Sequence, residues 1–400
     1  MLLRGGAAAA LLLAAADWTR AQSVTGAQAT VTAEEAATPG WVFAPSIGVG
    51  ASHDTNVLLL AVPDDPPRDS GMPLTPRARL DYGGRLTNFG AEYYGSFLLY
   101  QDLRELNSSD HQVGAHFRHR LSRRATLFGQ ESLTHASTTA GLMISGVPFF
   151  RLGSVSNAIG GGVDVLLSRR TTLHSSYSHD LVSFASFDRL PAAPPLAGGY
   201  THDVTTSLSQ ALSPTVTIGG DYEITRAVLA EGEDRFFIHT TTMTVEFHAS
   251  RQVVLSGFAG VSHVTASATQ DPRTGPALRA AVTRRDRRTL LTASYERTFV
   301  PSYGFGGTFP NQQWQGVLRV PFWRNRAYVE GSLTRFDNQP IEATEDKLRS
   351  LFVGGVLGYR ATRWVNVEGF YRRTQQNVRG QLRRDEFGVQ VVAATSLRLR

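Results

Sequence analysis

Connections of two contrasting lengths alternate along this chain. The short ones are polar and evenly spaced: Ser122-Arg123-Arg124, Ser168-Arg169-Arg170, Ser213-Pro214, Ser250-Arg251, Arg285-Asp286-Arg287, Arg324-Asn325 and Thr362-Arg363. Their first residues lie 46, 45, 37, 35, 39 and 38 positions apart. Between them fall long stretches rich in Gly, Pro and Asp: 54–72, 138–154, 184–199, 227–234, 266–274, 298–311 and 336–346. One such period holds two strands of ~10 residues each and one long loop.

The segments in between carry a period of two. Leu74, Pro76, Ala78, Leu80 and Tyr82 alternate with Thr75, Arg77, Arg79 and Asp81. Ala91, Tyr93, Gly95, Phe97 and Leu99 oppose Glu92, Tyr94 and Ser96, and Val113, Ala115, Phe117 and Leu121 oppose His116, Arg118 and Arg120. Val216, Ile218, Gly220, Tyr222 and Ile224 oppose Thr217, Asp221, Glu223 and Thr225; Met243, Val245 and Phe247 oppose Glu246 and His248. Val329 and Leu333 oppose Glu330, and Val365, Val367 and Tyr371 oppose Glu368 and Arg372. Successive side chains of a strand point to opposite faces, so one face of each segment is apolar and the other polar. A soluble sandwich accounts for any one strand but not for long loops confined to one side. The pattern predicts an all-β chain: a transmembrane antiparallel up-and-down β-barrel.

An opening strand at Trp41, two strands for each of eight turns (with a further one at Gly83-Gly84-Arg85) and a closing strand from Asp385 give about 18 strands, with 16 as the alternative. Both termini then fall on the periplasmic side. Trp41, Phe89, Tyr100, Tyr177, Tyr295, Trp314, Trp323 and Trp364, near strand ends, suit the interfacial girdles.

The start of the chain has an Arg4 n-region, an apolar stretch over Ala7 to Ala16, and small residues near Ala21. Residues 1–21 read as a secretory signal peptide, 22–40 as a periplasmic tail, and 41–400 as the barrel. No later segment offers the run of 18 apolar residues that a spanning helix needs. With 42% hydrophobic residues and a mean hydropathy of −0.17, only half of each strand has to meet lipid. The chain has no cysteine, which excludes disulfides and thiolate metal sites. Lys347 is the only lysine among 40 basic residues, and the net charge is +6. Arginine pairs bidentately with phosphate and carboxylate, so lipopolysaccharide phosphates or an acidic cargo are expected partners. The arginines are dispersed over turns and strand ends, which argues against nucleic acid.

The polar faces put Arg77, Arg79, Asp81, Glu92, Arg118, Arg120, Asp221, Glu223, Glu246, Glu330, Glu368 and Arg372 on a lumen wall. They form either a charged constriction that selects solutes or a network of ion pairs bracing the wall. For an enzyme the one candidate is His135-Ala136-Ser137, whose His-x-Ser spacing resembles outer-membrane lipid A deacylases. His179-Asp180 and His202-Asp203 are adjacent pairs whose side chains diverge in a strand. No catalytic residue, metal ligand or cofactor is assigned.

Two segments resemble a known family. The run from Pro45 to Val57, with its Asp54-Thr55-Asn56 turn, is similar to the first strand and loop of outer-membrane barrels of the β-barrel porin 2 type. Phe299 to Thr308, followed by Asn311-Gln312, resembles a loop of related barrels found alongside exopolysaccharide export genes. The resemblance implies a bacterial outer-membrane barrel that depends on the barrel insertion machinery and passes polysaccharide with export partners. It implies no site residues. The end, Leu397-Arg398-Leu399-Arg400, departs from the terminal aromatic residue usual in such barrels. Passive passage of hydrophilic solutes is the leading expectation; a closed barrel acting through its loops is the alternative, and a lipid-modifying enzyme a distant third.

Overall fold

The computed structural model describes residues 40–60, 66–185, 196, 198–229, 234–267, 270–286, 289–338, 347–377 and 380–399. The expected signal peptide and, apart from Gly40, the tail lie outside the described residues. The strands are β1 (Gly40–Asp54), β2 (Asp69–Gly83), β3 (Thr87–Tyr100), β4 (Ser108–Arg120), β5 (Ala125–Ala136), β6 (Ser154–Leu166), β7 (Thr171–Phe184), β8 (Gly199–Ala211) and β9 (Val216–Leu229). They continue as β10 (Asp234–His248), β11 (Val253–Val264), β12 (Arg273–Arg285), β13 (Leu290–Pro301), β14 (Thr308–Phe322), β15 (Ala327–Asn338), β16 (Leu348–Arg360), β17 (Val365–Asn377), β18 (Gln381–Ala394) and β19 (Leu397–Leu399). The last two are one strand in register: Ser46 of β1 faces Ala394, and Phe43 faces Leu397. Each strand pairs antiparallel with its chain neighbours, and β1 also pairs with β18. The result is a closed 18-stranded barrel without a free edge.

The short turns are built from the residues that mark them. Ser122 Oγ accepts the amides of Arg124 (3.1 Å) and Ala125 (3.0 Å), and Ser168, Ser213, Ser250 and Thr362 repeat this arrangement in their own turns. A side-chain oxygen takes up the amides that the ladder cannot.

The outward register is apolar around the circumference. Ile47 and Val49, Val113 and Phe117, Met243 (68% exposed), Val245 and Phe247, Leu357, and Phe387, Val389 and Val391 all face away from the lumen. Such an exterior suits hydrocarbon, and a closed ladder leaves no unpaired edge there. An 18-stranded barrel with this surface is the architecture of an outer-membrane β-barrel.

The strands are longer than the ~10 residues expected. They run to 12–15 residues. At about 3.3 Å per residue and a tilt of about 40°, fifteen residues span about 38 Å, beyond an apolar band of about 25 Å. The loops shrink accordingly: the stretch expected over 298–311 is a loop only at 302–307, with Pro310 inside β14 opposite Phe299. Proline removes one ladder amide but keeps an extended φ, so it shortens neither strand. Four of the expected girdle residues are placed otherwise: Tyr100 is buried and its hydroxyl donates to Asp54, while Tyr177, Tyr295 and Trp314 stand at mid-strand because the strands are longer than expected.

Candidate functional site

All twelve charged residues expected on the lumen wall stand in the register opposite the apolar exterior. Many are paired. Arg79 meets Asp81 at 2.8 Å, and Arg118 meets Asp164 at 2.9 Å beside His174, whose Nδ1 lies 2.8 Å from the same carboxylate. His248 lies 2.7 Å from Glu246, and Arg372 lies 3.5 Å from Glu386. Glu330 lies 3.8 Å from Arg319, while Glu368 accepts from the Tyr328 hydroxyl (2.5 Å) and from Gln390 (2.8 Å). Asp164, Arg279, Glu296, Arg319, Arg384 and Glu386 stand on the same inward register and are not among the residues expected there from the sequence.

The feature that organises the lumen is the connection between β5 and β6, residues 137–153. It opens with a 3₁₀ turn over Thr139–Leu142, capped by the Thr138 hydroxyl on the Gly141 amide (3.3 Å). It then crosses the barrel. Ser145 Oγ lies 2.9 Å from the amide oxygens of both Asn311 on β14 and Asn338 on β15. Nδ2 of Asn338 is buried without a partner, so turning that amide over lets it donate to the Ser145 hydroxyl and satisfies both groups. Strands β14 and β15 lie nine positions around an 18-strand circle from β5 and β6, so the crossing follows a diameter. Gln376 on β17 clamps the return: its Oε1 accepts the Phe149 amide (2.7 Å) and its Nε2 donates to Val147 O (3.0 Å). Arg151 finishes the crossing by donating to Val57 O (3.0 Å) and to Leu106 O, which fastens it to two further loops.

One side of this crossing is filled. Leu142 and Val147 pack with Ala136, Val182, Ala227, Leu229, Phe236, Ile238, Val264 and Tyr303 in one buried apolar cluster. These wall residues are inward positions at the extracellular ends of β5, β7, β9, β10 and β11, where an aqueous lumen would be polar. Loop 302–307 contributes Tyr303, and the Gly307 amide donates to Asp234 (2.8 Å). Gly306 and Gly307 have φ of 81° and 70°, which explains the glycine run there. Burial pushes the Tyr303 hydroxyl above its ordinary pKa.

The other side keeps space. A cavity of about 270 Å³ is lined by Thr75, Tyr94, Arg151, Arg372, Arg384 and Gln390, among others. Arg384 gives Nε (3.0 Å) and Nη2 (2.7 Å) to the buried Asp54, Arg372 shares a hydrogen bond with Tyr94, and Arg77 stacks over the Tyr94 ring at 4.8 Å. A guanidinium has five N–H donors, so those that the wall leaves over are available to a solute. A second cavity of about 210 Å³, lined by Ser145, Glu296, Asn311, Gln313 and Tyr303, borders the crossing elsewhere, and Gln315 lines both.

The candidate pair for enzyme chemistry does not assemble. His135 faces outward, its ring 6.1 Å from that of His111, while the Ser137 amide is tied to Asp110 at 2.7 Å. His179 and His202 likewise face outward, with Asp180 and Asp203 turned into the lumen, as adjacent residues of a strand must be. Among the described residues no three or more His, Asp or Glu side chains could hold one metal ion.

No family model matches the chain, and no curated protein matches it. Among solved structures it is similar to Pseudomonas aeruginosa OpdQ (11% identity, TM-score 0.44, covering 90% of this chain and 98% of that one). It is also similar to Acinetobacter baumannii OccAB4 (9%, TM-score 0.46, 90% and 100%) and to Pseudomonas aeruginosa OccK2 (OpdF) in complex with glucuronate (11%, TM-score 0.44, 90% and 98%). At these values no residue of the site takes a role from them.

Proposed function

We propose that this chain is a porin-type channel for small hydrophilic solutes, with anions favoured on the open side of its lumen. Supporting this reading above all are Arg372 and Arg384 on the wall of a cavity that the diametric crossing leaves unfilled, with Arg77 stacked over Tyr94 of the same wall. Planar guanidiniums replace part of the hydration of a carboxylate or phosphate, while Tyr94, Gln112 and Gln390 supply neutral hydrogen bonds along the same wall. The crossing sets the size limit. Passage of an exopolysaccharide is the more specific reading, and it requires residues 137–153 to withdraw, because cavities of about 270 and 210 Å³ do not admit a polymer.

The test is conductance of the purified barrel in a planar bilayer, for the intact chain and for a variant with residues 140–150 replaced by a short Gly-Ser bridge. Stepwise conductance that grows in the variant supports a constricted diffusion channel. Silence from both, with each shown to be folded, overturns it in favour of a closed barrel working through its loops.

A further inference from the structure

Near the extracellular end of the barrel, histidines face outward. His111 on β4 stands directly opposite His135 on β5, His179 on β7 opposite His202 on β8, and His239 on β10 opposite His263 on β11. Three cross-strand pairs thus recur at every third strand, each within five residues of its strand's extracellular end. His53 on β1 adds a single ring beside Phe387 and Ser70. These rings are held by neighbours of the same exterior face. Nδ1 of His111, His202 and His239 meets the hydroxyls of Tyr93 (3.0 Å), Tyr177 (2.7 Å) and Tyr222 (2.9 Å), that of His263 meets Thr274 (2.8 Å), and that of His179 meets Thr201 O (3.1 Å). Among the described residues, Nε2 of these five rings meets no hydrogen-bond partner and faces outward. The His179 and His202 rings approach to 4.7 Å.

At the level of the rings the outward charges of the strands are basic. Arg226 on β9 pairs in register with both His202 and Phe237, and Arg235 on β10 follows on the same face. Asp110, Asp180 and Asp203 beside the pairs and Asp69 beside His53 belong to the inward register; of the outward carboxylates, Glu131 stands four residues below His135, at mid-strand on β5, and Asp271 lies in the loop before β12. Val155 on β6, between the first two pairs, and Thr274 on β12, beyond the third, stand against the rings. The remaining arc differs: on β15 to β18, Asp337 and Asp385 serve Arg335, Arg349, Arg373 and Arg383, two carboxylates for four guanidiniums.

We infer that the outward rim of β4 to β11 binds the phosphate groups of lipids in the extracellular leaflet, and that its grip tightens as the pH falls through the histidine range. The occupant is a membrane lipid because this face is the barrel's lipid-facing exterior at the level of Tyr200, where the hydroxyls of Tyr93, Tyr177 and Tyr222 reach up to the histidines, aromatic rings suited to the approach to the headgroups. Two imidazoles opposite one another repel when both are charged, and a phosphate lying between them removes that repulsion and accepts both Nε2–H donors. An imidazole that has lost its proton no longer attracts the phosphate by charge, and Arg226 and Arg235 then supply the positive charge of this rim.

The test uses the whole chain folded in phosphatidylcholine vesicles containing spin-labelled phosphatidic acid, compared with spin-labelled phosphatidylcholine, at about pH 5.5 and about pH 8. The reference is a variant in which His111, His135, His179, His202, His239 and His263 are all Gln; it also corrects for titration of the lipid itself. A paired variant, H179Q/H202Q, serves if the full set does not fold. The intact chain should enrich phosphatidic acid over the variant by about fivefold or more at the lower pH, the effect of one basic group at an anionic surface, and little at the higher. Equal enrichment in chain and variant at both pH values overturns the proposal, leaving the arginines as the only lipid contacts. Complete displacement by excess inorganic phosphate also overturns it, as the mark of a free-anion site.

Discussion

Asp54 shows how much a single inward side chain can hold in this barrel. It is 1% exposed, accepts two guanidinium hydrogen bonds from Arg384, one from the Tyr100 hydroxyl and one from the Asn56 amide, and stands where β1 gives way to its loop. The Asp-x-Asn turn legible in the sequence is therefore a joint of the wall. Removing one partner leaves a buried guanidinium without its counter-charge, so Asp54→Ala should cost about 3 kcal/mol or more in a urea titration of the vesicle-inserted barrel. Asp54→Asn, which keeps the shape and one acceptor, should cost less. Glu131 argues the other way. It stands mid-strand on the outward register of β5, between Ala115 and Ile159. A carboxylate facing lipid is unfavourable, so Glu131→Leu should raise the unfolding midpoint, by about 1–2 kcal/mol in stability. An unchanged midpoint would mean that this face meets water or another protein.

Among the elements, turns were the most legible and loops the least. The Ser and Thr residues that cap five turns are readable because a hydroxyl at a fixed offset is a local device. The turn at Trp323, Arg324 and Asn325 differs: all three have positive φ, at 47°, 57° and 66°. Left-handed backbone strains a non-glycine residue by about 1–2 kcal/mol, so Arg324→Gly should stabilise the barrel by about 1 kcal/mol, read from the same urea titration. The inward course of residues 137–153 was not legible as a loop property, since its anchors Asn311, Asn338 and Gln376 lie far away in sequence. A cue did exist on the strands. Along β10 the dyad inverts: Met243, Val245 and Phe247 face out, yet nearer the loops Phe236 and Ile238 face in while Arg235 and His239 face out. That inversion marks both the apolar cluster inside and the basic rim outside. Tyr303 gives the cluster a pH limit. Its folded pKa is raised, so the stabilisation is complete below the unfolded value of about 10 and declines as pH rises beyond it. Conductance noise from loop opening should therefore increase above about pH 10 in the intact chain and less in Tyr303→Phe.

For the molecule as a whole, strand number and closure follow from patterns that repeat, and repetition is what a sequence displays best. The eccentric lumen depends on which inward faces meet across a diameter, and no local pattern encodes that. A barrel of 18 strands encloses a wide space, but here an apolar cluster occupies one side and the arginine-lined cavity the other. Selectivity should then reside in few residues rather than in the net charge of the wall, where most acids and bases cancel in pairs. A charge about 7 Å from a permeating ion in water-like surroundings favours an anion by about 0.6 kcal/mol and disfavours a cation by as much, which is about sevenfold in the relative permeability of anion over cation. Arg372→Gln, which loses the cation beside Tyr94 and Glu386 yet keeps a polar side chain, should lower that ratio by about this factor at low salt, and high salt should shrink the effect by screening. Arg120→Gln, on the same register of the wall but outside the residues that line the cavity, should leave the ratio unchanged. Equal losses from both would place selectivity in the barrel's overall field and take it away from the open side of the crossing.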